Sequence, residues 1–283
     1  MFGYTLIALA RNFGFGHSPF SQRLLRSAAI GFFCWFMVER GLGAADRAMA
    51  AEIVQGERFL AGLFNAKLGL LPEYEGAEVY WLYHDNYLAA KILKTSHRDL
   101  AKRIEAAIHG FGVWRSGKIE IVFDEAPDGF PFRSYELTEV TNVAGKSIRT
   151  ERVTTNILKG WEAYADLLLM ASIAKAKAEP DEANGYFQKA LLLWDGHGFS
   201  DPASSKSGLY ATYKLALGLL AADRVKQKLP FRAVVLEQLR KLQSPTGGWI
   251  TDYNRDGQPR GLANVETTCL VLLALRLEAE TRH

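Results

Sequence analysis

The stretch QSPTGGWITDYNRDGQPRGLANVETTCLVLLAL, residues 243–275, joins a Gly-Gly-Trp turn to an apolar helix through a polar, charge-studded loop. Gly247 and Gly248 allow a tight turn, and Trp249 supplies a large wedge beside it. Glu266 then opens a run in which nearly every position is apolar. A carboxylate there either rims an active site or stabilises the positive end of its helix. Asn264, two residues earlier, is a natural N-cap.

Working outward, the same plan recurs. HDNYLAAKIL (84–93), WEAYADLLLMASIA (161–174), LYATYKLALGLLAA (209–222) and VETTCLVLLAL (265–275) each open on a polar or aromatic cluster and continue in Leu and Ala. Helices apolar nearly all round are buried on both sides, whereas the intervening IEAAIHGFG, YFQKALLLWD and VVLEQLRKLQ are one-sided. The alternation predicts helical hairpins with an inner and an outer layer. Residues 79–93 are expected as one helix. Between residues 113 and 154 the pattern changes to alternation, in KIEIVFD (118–124), SYELTEVT (134–141) and SIRTERVT (147–154), and predicts a small β-rich excursion.

QSPTGGWITDYNRDG followed by ANVETTCLVLLAL resembles the repeats of the α/α-toroid superfamily, which includes terpenoid cyclases, protein prenyltransferase β-subunits and six-hairpin carbohydrate enzymes. Gln243, Gly247 and Trp249 match the turn, and Glu266, Thr267 and the Leu272–Leu275 run match the helix. GLLPEYEGAEVYWLYHDNYLAAKIL and GFSDPASSKSGLYATYKLALGLLAA are also similar to uncharacterised helical proteins known mainly from archaeal genomes. The resemblance implies a mainly all-α fold over residues 44–283, an α/α toroid of helical hairpins, short or open, with the β-rich excursion 113–154 as a small insertion. It implies a fold and not an activity; the DxDD motif of squalene–hopene-type cyclases and the prenyltransferase zinc set are both absent.

If the inner helices run parallel, their polar openings line one mouth. The expected catalytic pair is Asp85 and Glu266. The expected substrate-binding residues are Tyr83, His84, Asn86, Tyr87, Glu162, Tyr164, Tyr210, Tyr213 and Lys214, with Trp249, Asp252, Tyr253 and Arg255 on the rim. Aromatic faces with paired carboxylates suit a glycan and acid–base chemistry on a glycosidic bond. A lyase would instead use Tyr253 or His84 with Lys214 or Arg255. The expectation is therefore a glycoside hydrolase or polysaccharide lyase acting on a glycan or small molecule. The alternatives are a non-catalytic scaffold for a peptide or glycan and, third, a terpenoid-cyclase-like protein.

A net charge of +3, without a basic block, gives no support for nucleic-acid binding. No metal-ligand spacing recommends a metal, and no cofactor is expected. Cys34 and Cys269 sit in apolar runs and read as separate buried thiols. Residues 1–43 form a distinct segment. Its apolar run 28–38, after Arg23 and Arg26, fits either a signal or membrane anchor or a packed helix, so the compartment stays open.

Overall fold

A computed structural model describes residues 43–115, 118–125 and 132–281. The chain divides into two compact units, residues 1–48 and 49–283. The apolar run 28–38 and Cys34 lie outside the described residues. No described helix is long and apolar enough to cross a membrane.

The helices are α1 (Ala44–Gly62), α2 (Leu88–Leu93), α3 (Arg98–Gly110), α4 (Ala165–Lys175), α5 (Pro180–Leu191), α6 (Pro202–Ser207), α7 (Thr212–Arg224), α8 (Arg232–Lys241) and α9 (Val265–Thr281). The strands are β1 (Val79–Trp81), β2 (Arg133–Val143), β3 (Lys146–Ile157), β4 (Tyr210–Ala211), β5 (Ile250–Tyr253) and β6 (Pro259–Ala263). A π-helical turn, Leu82–Tyr87, precedes α2, and 3-10 turns occupy Ile119–Phe123 and Trp161–Ala163.

Four helices form the interior, side by side in the order α2, α9, α7, α4. Every residue of α7 from Lys214 to Ala222 is buried, as is every residue of α4 from Leu167 to Ile173, which is why neither shows a polar face in sequence. The more amphipathic α3, α8 and α5 cover α2, α7 and α4 respectively.

The described chain is mixed α/β, and this corrects the expectation of a mainly all-α toroid with one small β-rich insertion. It holds two three-stranded sheets, β1-β3-β2 and β4-β5-β6. In the first, β1 runs parallel to β3 and β2 antiparallel to it; in the second all neighbours are antiparallel. The second sheet and β1 were illegible because their strands have two to five residues, too few for a period of two to show. Residues 79–93 are thus a strand, a π-helical turn and a short helix rather than one helix. The alternation at 118–124 also misleads: Ile119, Glu120, Ile121 and Val122 are all buried, which a 3-10 turn permits and a half-exposed strand does not.

Trp249 explains the opening stretch. Its ring is fully buried, its Nε1–H donates to the Leu239 carbonyl at 2.8 Å, and its backbone N–H donates to Thr268 Oγ1 at 2.9 Å. It lies against Gly56 of α1, so it is a core wedge and not a rim residue. A Cβ at Gly56 would stand 2.6 Å from Trp249 Cζ3 and 2.9 Å from Leu272 Cδ2. Ala in place of Gly inside a helix ordinarily adds roughly 0.5–1 kcal/mol. Overpacking a filled core costs about 1–3 kcal/mol and wins here. Gly56→Ala is expected to lower the midpoint of thermal or urea unfolding; a raised midpoint would show that the Trp249 contact is loose.

Candidate active site

Three of the interior helical segments begin where a strand ends. β1 enters the π-helical turn directly, β4 enters α7, and β6 reaches α9 through Asn264. Asn264 Oδ1 accepts the Thr267 N–H at 2.9 Å and caps α9. The fourth, α4, is anchored differently. Asp201 Oδ2 accepts the Ala165 N–H at 3.1 Å, while Asp201 Oδ1 accepts the Ala203 N–H at 3.1 Å and forms a capping box on α6 with Ser204.

These four openings meet. His84, on the π-helical turn, pairs through Nε2 with Glu151 of β3, and its Nδ1 lies 3.3 Å from Glu266 Oε1 of α9. Lys118 Nζ stands 3.6 Å from the same Glu151 oxygen. Glu151 is 1% exposed and Glu266 28%, so the line Glu151–His84–Glu266 runs from the interior outward. Burial alone would push the His84 imidazole down, but the hydrogen bonds it donates to Glu151 and Glu266, with the Glu266 charge, outweigh it and raise it to about 10. Burial likewise pushes Glu151 up, and His84 and Lys118 reverse that, holding its carboxyl below the usual range.

On the other side of α9, the Tyr213 hydroxyl donates to Asp166 Oδ2 at 2.8 Å. Lys214 Nζ pairs with Asp201 and lies 3.8 Å from Asp166 Oδ1. Burial, followed by the charges of Asp166 and Glu266, lifts the Tyr213 hydroxyl well above its ordinary value. Tyr213 is therefore a neutral donor that feels two carboxylates, one on either neighbouring helix. Tyr213 and Glu266 thus stand on adjacent helices, α7 and α9.

Asp85 occupies a different depth from the one expected. It is 2% exposed, and its Oδ2 has no hydrogen-bond partner. Burial and the Glu266 charge push its carboxyl well above the carboxylate range, against the opposing effects of His84 and the Glu266 backbone N–H. It lies under the α9 N-terminus and does not face Glu266 across an open cleft.

The other expected residues divide. Asn86 is fully buried and fully used: Oδ1 accepts the Leu71 N–H at 2.7 Å, and Nδ2 donates to the carbonyls of Leu71 at 3.0 Å and Trp81 at 2.8 Å. It holds a loop and has nothing left for a ligand. Tyr83 is buried and stacks on Tyr87, whose ring also carries Lys91 Nζ at 5.1 Å. Lys214 is buried on Asp201. Tyr164 is half-buried at the start of α4.

Tyr210 and Tyr253 form a second aromatic pair, stacked at 5.4 Å. Tyr210 donates to Asp195 Oδ2 at 2.5 Å, and the buried Tyr253 donates to the His197 carbonyl at 3.0 Å. Asp252 is half-buried in β5, and Arg255 is exposed beyond it. Glu162 is exposed and lines a groove of about 490 Å³ with Trp161 and Tyr186, a groove to which no member of the His84 cluster contributes.

Sequence reading missed Glu151 and Lys118. A buried Glu inside SIRTERVT is indistinguishable from a solvated one, because the strand alternates polar residues on both faces. Cys269 is buried on α9 and carries no disulfide. Among the described residues no three of His, Cys, Asp and Glu are placed to hold a metal ion. Comparison with protein-family models, with curated proteins and with solved structures found no match.

Two outcomes follow from the charge arrangement. Because the folded His84 titrates at about 10, above the ordinary 6.5, its stabilisation is complete below pH 6.5 and is lost as pH rises through 10. Urea unfolding at pH 7 and pH 10 should show a loss of a few kcal/mol in the wild type, and His84→Gln should flatten that slope. Lys214→Met leaves Asp201 buried and uncompensated and should cost about 3–5 kcal/mol, with Asp201→Asn in the same chain restoring part of it.

Proposed function

We propose that the chain is a carbohydrate-active enzyme that cleaves a glycan by acid–base catalysis, with Glu266 and Tyr213 transferring protons. The supporting observation is the Glu151–His84–Glu266 line, which fixes one part-exposed carboxylate on the helix next to the one that carries a neutral phenol. His84 is locked as an imidazolium by Glu151, so at neutral pH it orients Glu266 and does not itself exchange a proton. Glu266 is the base and Tyr213, resting on Asp166, is the acid.

The chemistry balances in two forms. In hydrolysis, Glu266 takes a proton from water as its oxygen attacks the anomeric carbon, and Tyr213 gives its proton to the departing glycosidic oxygen. In elimination, Glu266 takes a carbon-bound proton next to a substrate carboxylate, the C–O bond breaks, and Tyr213 protonates the leaving oxygen. The first consumes water; the second leaves a carbon–carbon double bond. A charged mouth favours both over isoprenoid cyclisation, which needs a dry apolar pocket.

Glu266→Gln and Tyr213→Phe should each lower kcat on a cleaved glycan by ~10²–10⁴-fold with little change in folding. The assay is release of reducing ends from a glycan panel, with ultraviolet absorbance of the new double bond separating elimination from hydrolysis. Retained turnover in Glu266→Gln would sink the assignment, and saturable binding by the wild type with no cleavage would make the protein a binder.

A further inference from the structure

We infer that the ligand of this site is an acidic glycan, carrying carboxylate or sulfate groups, with its charge read by Arg149 and a sugar face resting on Trp81. This rests on the glycan reading above and specifies its substrate class.

The two residues are paired by register. Trp81 of β1 lies opposite Arg149 of β3 in the parallel ladder, and the Arg149 guanidinium sits over the indole, 5.7 Å from its centroid. The same indole meets His84 edge-on, at 6.1 Å and 77°. The subsite therefore adjoins the imidazolium that orients Glu266. Both Trp81 and Arg149 are half-exposed.

Arg149 is positioned but not neutralised. Its Nε donates to Ser147 Oγ at 2.9 Å, and that hydroxyl is also bound by Glu139, which lies opposite Arg149 in the β2 register. Glu139 thus answers the hydroxyl, and among the described residues the guanidinium has no carboxylate within ion-pair distance. A guanidinium set over an aromatic ring, with only its Nε bound to a hydroxyl, keeps its terminal N–H groups for bidentate binding of a carboxylate or sulfate. The charged groups nearest to it are Glu139, opposite it in the β2 register and committed to Ser147, and His84, on the other side of the indole and paired with Glu151.

The surface beyond suits a chain rather than a single sugar. Glu151 and Leu137 are cross-strand partners, as are Tyr135 and Val153, so Leu137, Val153, Arg149 and Glu151 share one face of the β2–β3 hairpin. Leu137 is 63% exposed and Ile157, further along β3, is 58%. An extended polymer lying on this face meets apolar side chains first, then the guanidinium and indole, then Glu266.

The test is calorimetric binding of the full chain to polygalacturonate, dextran sulfate and neutral dextran at fixed salt. The wild type is expected to bind at least one of the acidic polymers and to prefer it to dextran by ~10-fold or more. A preference for polygalacturonate or for dextran sulfate identifies the carboxylate or the sulfate as the recognised group. Arg149→Gln should remove that preference, Arg149→Lys should restore part of it, and Trp81→Ala should weaken binding generally. All variants are first checked for an unchanged unfolding midpoint.

Equal affinity for charged and neutral polymers, no binding to either acidic polymer, or an Arg149→Gln variant that still prefers one overturns the inference. Glu266→Gln separates the two claims. If it binds like the wild type and the wild type cleaves nothing, the catalytic reading fails while acidic-glycan recognition stands. If neutral glycans are cleaved regardless of Arg149, the reverse holds.

Discussion

Four helical segments that begin at one place bring their unpaired N–H groups, and the partial positive charge of their ends, into one small volume. That constraint organises the rest of the structure. The answering groups are Asn264 for α9, Asp201 for α4 and α6 together, and Asp85 beneath the Glu266 backbone N–H. Asp201 is the most heavily committed, since it caps two helices and receives Lys214 as well. Its carboxyl is held low by Lys214 and by those backbone donors, against the upward push of burial. A buried carboxylate so fully satisfied is structural.

The same accounting isolates the groups that are not consumed by the backbone. Glu266 stands in the first turn of α9, where a carboxylate would stabilise the helix end by a few tenths of a kcal/mol to ~1. Asn264 already supplies the cap, so Glu266 instead reaches His84. Tyr213 stands in the first turn of α7 and reaches Asp166 of α4. Both side chains span neighbouring helices rather than closing their own, and both remain partly exposed. The distinction between helix punctuation and active-site rim, posed by the stretch 243–275, thus falls differently for adjacent residues: Asn264 punctuates, and Glu266 faces outward.

How much was legible follows from the same physics. His84, Asp85, Tyr213, Lys214 and Glu266 could be singled out because polar residues opening a uniformly apolar helix break a strong pattern, and the break recurs four times. Their depth could not. Asp85 and Lys214 have the composition of mouth residues but lie buried, and Asn86 is absorbed by the Leu71 and Trp81 backbone. Tyr253 and Trp249 were placed on a rim because of the polar loop around them, yet each uses its single polar atom on a backbone carbonyl while its ring fills the core. Residues supplied by strands, Glu151, Arg149 and Trp81, were invisible as site members. Parallel pairing of β1 with β3 joins positions about seventy apart, and no local periodicity encodes that.

The strands also explain why the site holds a single protonation pattern. β3 delivers Glu151 to His84 on a rigid ladder, from the side opposite Glu266, so the imidazole has a carboxylate on each nitrogen. Losing its proton would leave two carboxylates facing an imidazole with only one N–H to share, at least one of them in a nearly dry position. The charge is therefore fixed throughout the neutral range. Tyr213 stays protonated, because burial and the charges of Asp166 and Glu266 lift its hydroxyl well above its ordinary value. With His84 held charged between two carboxylates, the groups around it that remain part-exposed, and so within reach of a bound molecule, are Glu266 and Tyr213.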